Sequence, residues 1–131
     1  MNYPESALLG GLISAINTEL PGRTVYTVPP KETTYPYVLI NQTYMEQIGP
    51  KDNYIYRFEP LIQVVYKDIS SAVDLLTDMN AIHQIIKASD ELVISGYDVM
   101  QCLLINTNRT TELYDFGKLD IGLIRARIEI Q

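Results

Sequence analysis

The side chain best suited to acid–base or metal chemistry is His83, the single histidine of the chain. It lies inside a predicted helix and is bordered by the apolar residues Met79, Ile82 and Ile86. No Cys, Asp or Glu lies three or four positions away, the spacing that would place a second metal ligand on the same helical face. Asp78, five positions earlier, falls on a different face. We therefore interpret His83 as a packed or boundary residue rather than a base or a ligand.

Nucleophilic catalysis requires a serine or cysteine that a neighbouring base activates. The single cysteine, Cys102, has no activating group nearby in sequence, and its alternating neighbours predict a buried strand position. Asp74 and Asp78 share a helical face, which we interpret as a solvated surface rather than an acid–base pair. No nucleophile-elbow motif surrounds any of the serines: Ser6, Ser14, Ser70, Ser71, Ser89 and Ser95. The residue inventory therefore predicts a protein that is not an enzyme.

Tyrosine is the chain's dominant aromatic residue, with ten tyrosines against two phenylalanines and no tryptophan. Tyrosine combines apolar area with a hydroxyl that can stay hydrated, which suits protein–protein interfaces. The same property suits the faces and edges of a sheet, so both interpretations stay open. Many of these residues fall on predicted strands or at their ends: Tyr26, Tyr35, Tyr37, Tyr44, Tyr54, Tyr56 and Tyr66.

The size and composition indicate an ordinary globular protein. A length of 131 residues with 47% hydrophobic residues predicts one domain over residues 1–131 with a core of its own. No apolar run approaches the roughly 18–20 residues that span a bilayer, and no basic region precedes the first apolar stretch. We therefore expect neither a membrane span nor a secretory signal. A single cysteine excludes an internal disulfide and is typical of a protein folded in a reducing cytoplasm.

The charge balance is acidic, with a formal net charge of −6. A protein that grips nucleic acid needs a basic face that displaces counterions, and no Lys/Arg cluster occurs here. Arg125 and Arg127 share one strand face, and we expect them to pair with nearby carboxylates. The sequence therefore argues against sequence-specific nucleic-acid binding. An acidic surface suits a soluble monomer or a channel through which DNA passes without being held.

Two segments have the periodicity of amphipathic helices. The first, residues 5–20, ends at Pro21-Gly22 and carries an apolar stripe of Leu8, Leu9, Leu12, Ile13, Ile16 and Leu20. The glycine pair Gly10-Gly11 in its middle suggests that another backbone packs closely there. The second helix begins at Asp68 or Ser70 and runs to about residue 87, with a predicted stripe of Ile69, Val73, Leu76, Met79, Ile82 and Ile86.

Five strands are predicted, at residues 23–28, 36–47, 54–66, 99–107 and 116–130. Turn residues at 49–53 join the second and third strands as a hairpin, and residues 106–114 read as a polar loop. The long strand 54–66 alternates regularly but contains Pro60, which has no N–H for a sheet ladder. We therefore expect this strand to lie at a sheet edge or to be bulged there.

The last strand changes phase near Gly122. Leu119, Ile121 and Leu123 are apolar at odd positions, whereas the apolar residues after them occupy even positions. A one-residue slip would return all of them to one face, so we predict a β-bulge near Gly122. The resulting order α-β-β-β-α-β-β predicts an α+β fold in which two helices pack on an antiparallel sheet.

This order, together with three sequence segments, resembles the tail-completion family of tailed phages, which includes tail terminators and head–tail joining proteins. The segments are GRTVYTVPPKETTYPYVLI at 22–40, IQVVYK at 62–67 and SSAVDLLTDMNAIHQII at 70–86. The resemblance covers nearly the whole chain, and its motifs are structural rather than catalytic. The resemblance implies that copies of this chain form a hexameric ring. The ring is expected to cap the head-proximal end of the tail tube, stop polymerisation of the tube and contact the head connector. The resemblance also implies no cofactor and no active site.

The resemblance implies that this protein would act in the virion tail or neck and would assemble in the host cytoplasm. Its partners would be further copies of itself, the major tail tube protein and the head–tail connector, with DNA passing through the ring. The predicted contact residues lie mainly in loops and comprise Lys31, Glu32, Thr33, Lys51, Asp52, Asn53, Pro60, Asn108, Arg109 and Thr110. A head-completion or stopper ring of the neck, a cytosolic ligand-binding α+β domain and a small enzyme are the alternatives.

Overall fold

The computed structural model describes residues 4–31, 34–49, 54–87 and 92–131. Its elements follow the predicted order α-β-β-β-α-β-β. The helices are α1 (Pro4–Glu19) and α2 (Val73–Lys87). The strands are β1 (Thr24–Tyr26), β2 (Tyr37–Ile48), β3 (Ile55–Lys67), β4 (Val99–Tyr114) and β5 (Gly117–Ile130).

The five strands form one sheet in the order β1-β2-β3-β5-β4. All neighbouring pairs are antiparallel except β1 and β2, which run parallel. Both helices pack on the same face of the sheet, which we call the helix face, and the other face is the open face. The predicted fold class is therefore confirmed, with β1 as a short parallel addition to an antiparallel sheet.

The main core lies between the helix face and the two helices. Phe58, Ile62 and Val64 of β3 are fully buried there, next to Ile124 and Ile128 of β5. Burying one such side chain stabilises the fold by about 1.5–3 kcal/mol. The helices complete this core with Leu8, Leu12, Ile16, Leu75, Ile82, Ile85 and Ile86. The sheet and the helices are therefore held together by one continuous apolar layer.

The two adjacent glycines of α1 have different surroundings. A Cβ atom on Gly11 would lie 2.6 Å from the backbone oxygen of Val93, whereas one on Gly10 would meet nothing within 4 Å. The close backbone approach predicted for the pair is therefore confirmed at Gly11. Because α1 and the segment before β4 can approach only where a side chain is absent, Gly11 fixes how closely they pack.

This difference predicts opposite effects of alanine at the two positions. Gly10→Ala should leave stability unchanged or raise it by up to about 1 kcal/mol, since alanine favours a helix over glycine. Gly11→Ala should lower it by about 1–3 kcal/mol, because the added methyl group overlaps backbone that must move. Urea unfolding of the two variants measures both values, and equal effects at both positions would contradict the packing described for Gly11.

The long strand β3 is central in the sheet, so the prediction that it lies at an edge is wrong. Pro60 is buried on the helix face, with β2 on one side of its strand and β5 on the other. The β2 ladder is irregular opposite it, because Asn41 pairs with Leu61 and Tyr44 with Glu59. The missing N–H is therefore accommodated by a bulge in the neighbouring strand β2, and β3 itself is not bulged at Pro60 as predicted.

The bulge predicted near Gly122 does not occur. The pairing of β5 with β3 is continuous through Ile121, Gly122 and Leu123, so alternation persists and the two apolar sets lie on opposite faces. On the helix face a Cβ on Gly122 would lie 2.4 Å from Sδ of Met79. The open face carries its own small cluster of Val65, Leu119 and Ile121. The change of phase therefore arises because β5 carries apolar side chains on both faces of the sheet.

The polar segment 106–114 is not a loop. It forms the second half of β4, which pairs with β5 as far as Tyr114 opposite Gly117. Asparagine, threonine and arginine side chains are tolerated because the strand lies at the sheet edge and is largely exposed. The irregularities of the β4–β5 ladder lie before this segment, between Val99 and Gln101 and between Leu104 and Asn106 of β4.

Candidate interaction surfaces

The predicted contact residues fall into three groups. Glu32, Thr33, Lys51, Asp52 and Asn53 lie outside the described residues. Lys31 is exposed, whereas the Pro60 side chain is buried and cannot be a surface contact of the folded chain. The structure brings the remaining three, Asn108, Arg109 and Thr110, together as consecutive residues of β4, with the first two exposed and Thr110 half-buried.

The outer edge of β4 is the longest open strand edge in the described part of the chain. Residues 106–114 pair regularly with β5 on one side, and no described strand pairs with them on the other. The backbone N–H of Arg109 donates instead to Oδ1 of Asn108 at 2.8 Å, which places this N–H on the outer side of the strand. The Arg109 side chain lines a polar pocket with Lys118 and Asp120.

The opposite edge of the sheet is β1, and the register relates it to β4. Thr24 pairs with Tyr37, which pairs with Val65. The same row continues through Ile121 to Thr110 of β4. Thr24 on one edge strand and Thr110 on the other therefore lie at the two ends of the same cross-strand row.

An aromatic band crosses the open face near the β4–β5 turn. Tyr37 has its ring centroid 5.6 Å from that of Tyr26 and 5.4 Å from that of Tyr35. Tyr114 and Phe116 stack at 4.9 Å with nearly parallel planes, and both are exposed. Lys67 joins the two groups through cation–π contacts with Tyr35 and Phe116. We define the aromatic band as Tyr26, Tyr35, Tyr37, Tyr114 and Phe116.

Ion pairs occupy the other end of the open face. Arg57 lies 3.1 Å from a carboxylate oxygen of Glu46 and 3.0 Å from one of Glu129. Arg127 lies 2.9 Å from Glu59, which confirms the expected pairing of this arginine with a carboxylate. These arginine–glutamate pairs link β2, β3 and β5. This part of the open face is therefore polar, and its positive charges are paired with negative ones.

The most buried polar cluster joins the start of β1 to α2 and β3. Nε of Arg23 donates to Asp78 at 2.9 Å, and the hydroxyl of Tyr66 donates to the same carboxylate at 2.6 Å. Arg23 also donates to the Tyr66 hydroxyl at 3.0 Å. Asp78 is only 3% exposed, so its interpretation as part of a solvated face is wrong. The predicted stripe of α2 is buried at Met79, Ile82 and Ile86. In the first half of the helix, however, Leu75 and Asp78 are buried and Leu76 is exposed, which is why the sequence pattern did not indicate this cluster.

The Tyr66 hydroxyl gives the cluster a measurable pH dependence. Burial, and then the hydrogen bond to Asp78, raise the pKa of Tyr66 to about 12. The unfolded chain loses this proton near pH 10. The contribution of the Tyr66 hydroxyl to the free energy of unfolding is therefore fully present below pH 10 and is lost as the pH rises towards 12. The stability difference between the wild type and Tyr66→Phe should shrink by about 2–3 kcal/mol over that interval. Urea unfolding at several pH values measures it, and a constant difference would contradict the burial of this hydroxyl.

Cys102 and His83 are the side chains best suited to nucleophilic, acid–base or metal chemistry. Burial raises the pKa of the Cys102 thiol to about 11, which keeps it protonated and weakly nucleophilic at neutral pH. His83 is half-buried on α2. Within residues 4–31, 34–49, 54–87 and 92–131, no three His, Cys, Asp or Glu side chains are grouped so that they could hold a metal ion.

Comparison with known proteins identifies a similar fold. A chain of the solved structure entitled "Virion of native gene transfer agent (GTA) particle" superposes with a TM-score of 0.71 and 16% sequence identity. The match covers 98% of this chain and 99% of that chain. No protein-family model matches the sequence, and no curated protein matches it either. In the part of the chain that the structure describes, neither helix is long and apolar enough to cross a membrane.

Proposed function

We propose that this chain is a structural protein of a phage-like virion and forms a ring at the head-proximal end of the tail tube. The observation that carries the proposal is the structural match to a chain of a gene transfer agent virion, which extends over 98% of this chain. A match of this extent includes the helices and all five strands. It agrees with the resemblance of the sequence to tail-completion proteins, which rests on separate segments.

In this proposal, residues 1–131 act as one domain, and about six copies close into a ring with cyclic symmetry. The ring ends polymerisation of the tail tube and offers its other side to the head connector. Its partners are therefore further copies, the tube protein and the connector. The net charge of −6 suits a ring through which DNA passes without being held. The protein would be located at the tail–neck junction, after assembly in the host cytoplasm.

Deletion of the gene, followed by electron microscopy of the particles produced, tests this function. The proposal predicts tails of uncontrolled length and heads without tails, and restoration of normal particles when the intact gene is supplied separately. Normal-length tails beside unjoined heads would instead assign the chain to a stopper ring of the neck. Normal particles after deletion would contradict a virion role and favour the ligand-binding alternative.

A further inference from the structure

The second half of β4 presents a long edge with little of the usual protection. Natural sheets block exposed edges with charged side chains, especially lysine, and with proline, bulges or very short strands. Residues 106–114 contain the charged residues Arg109 and Glu112 but neither lysine nor proline, pair with β5 without a bulge, and extend over about 30 Å. Three threonines at 107, 110 and 111 favour extended backbone. The two bulges of β4 lie before this segment, so residues 106–114 remain a regular template for another strand.

The directions of the edge strands favour a second copy of the same chain as the occupant. β1 is parallel to β2, and each following neighbour in the sheet is antiparallel, so β1 and β4 run in opposite directions. If two copies stand side by side without either being turned over, β4 of one lies antiparallel to β1 of the next. Such a contact joins two different surfaces, which is the arrangement that closes rings.

The register favours a flat ring over a helical filament. Thr24 of β1 and Thr110 of β4 end the same cross-strand row, and Tyr26 and Asn108 end the row that passes through Leu39, Gln63 and Leu123. If Thr110 of one copy lies opposite Thr24 of the next, the two edges meet at the same height and no rise per subunit is required. A contact without a rise can close on itself.

We propose that residues 108–110 of β4 pair in antiparallel fashion with β1 (Thr24–Tyr26) of a second copy. The inference rests on the proposed ring and names the contact that builds it. The outward N–H of Arg109, now bonded to the Asn108 side chain, would donate to the neighbouring strand. Leu113 and Tyr114, which are 80% and 47% exposed, add apolar area at the end of the same edge.

A proline at Arg109 tests the contact, because it removes the outward N–H while the strand remains at a tolerated edge position. Arg109→Ala is the matched control, since it removes the same guanidinium but keeps the N–H. Native mass spectrometry and sedimentation of the full chain over a concentration series compare both with the wild type. We expect closed oligomers larger than a dimer for the wild type and Arg109→Ala, and assembly weakened about ten-fold or more for Arg109→Pro.

Three outcomes would overturn the inference: equal assembly of all three proteins, equal loss in both variants, or a wild type that stays monomeric at its highest soluble concentration. A dimer alone would indicate β4–β4 pairing and would also overturn it.

If Arg109→Pro fails to fold, hydrogen exchange of the wild type decides the question. Peptides covering 106–114 and 24–26 should gain protection as concentration rises, and unchanged exchange would contradict the contact. The gene deletion tests the virion role separately, so the contact can fail while that role stands.

Discussion

Arg23→Met should lower the free energy of unfolding by about 3–5 kcal/mol, the loss typical of breaking a buried ion pair by removing one partner. Asp78 is 3% exposed and, among the described residues, would keep the Tyr66 hydroxyl as its close donor. Methionine retains much of the arginine's apolar stem, so the effect should come from the lost charge and hydrogen bonds rather than from packing. Urea unfolding of the variant and the wild type at neutral pH measures the change.

Two further variants separate a specific buried pair from a general effect of arginine. Arg127→Met removes an arginine whose side chain is 37% exposed and whose partner is Glu59, and it should cost at most about 1 kcal/mol. The double variant Arg23→Met/Asp78→Leu should recover part of the loss, because no uncompensated carboxylate remains buried. If Arg23→Met costs no more than Arg127→Met, the buried cluster does not hold β1 to α2.

Gly122→Val should be the second severe substitution, with a loss of about 2–3 kcal/mol. A Cβ at this position would lie 2.4 Å from Sδ and 2.9 Å from Cγ of Met79, and 3.2 Å from a methyl group of Leu75. Valine adds two further methyl groups beyond that Cβ, within a strand that is paired on both sides. Because β5 cannot shift without disturbing two neighbours, α2 must move or repack.

Truncation of the opposing side chain should relieve this overlap. Met79→Ala alone creates a small cavity under α2, whereas Met79→Ala combined with Gly122→Val should fill it. We therefore expect the double variant to be more stable than the sum of the two single effects predicts, by about 1–2 kcal/mol. Strictly additive losses would show that glycine at position 122 is required by the backbone conformation of β5 and not by the packing of α2 against it.

The order of elements could be predicted because each has a local signal. The three- and four-residue periodicity of the helices, the turn chemistry after residue 48 and the alternation in β3 identify element type without reference to the rest of the chain. Two helices beside several alternating strands then leave few architectures. For this reason, the α+β class and the hairpin of β2 and β3 agree with the structure.

Strand order could not be predicted in the same way, because no local pattern states which strand lies at the edge. Pro60 favoured an edge position, yet a bulge in β2 accommodates it within the centre of the sheet. Segment 106–114 read as a loop because it is polar, and polarity is also what an exposed edge strand shows. Asn108, Arg109 and Thr110, which the sequence predicts as loop contacts, therefore lie on an edge strand.

Gly122 and Asp78 show a second limit of pattern reading. A phase change in an alternating strand fits either a bulge or two apolar faces, and only the neighbouring Met79 distinguishes them. Asp78 interrupts the apolar stripe of α2 between Leu75 and Ile82, which is a signal for a buried, paired carboxylate. Its partner Arg23 is 55 residues away, so the pairing depends on the tertiary fold.

Counting the copies of this chain in purified particles tests the proposal that it forms one ring in a virion. Quantitative mass spectrometry, calibrated against the major tail tube protein, gives the number of copies per particle. We expect about six copies per particle, the number in the proposed single cyclic ring. Absence of the chain from the particles, or a copy number as high as that of the tube protein, would contradict it.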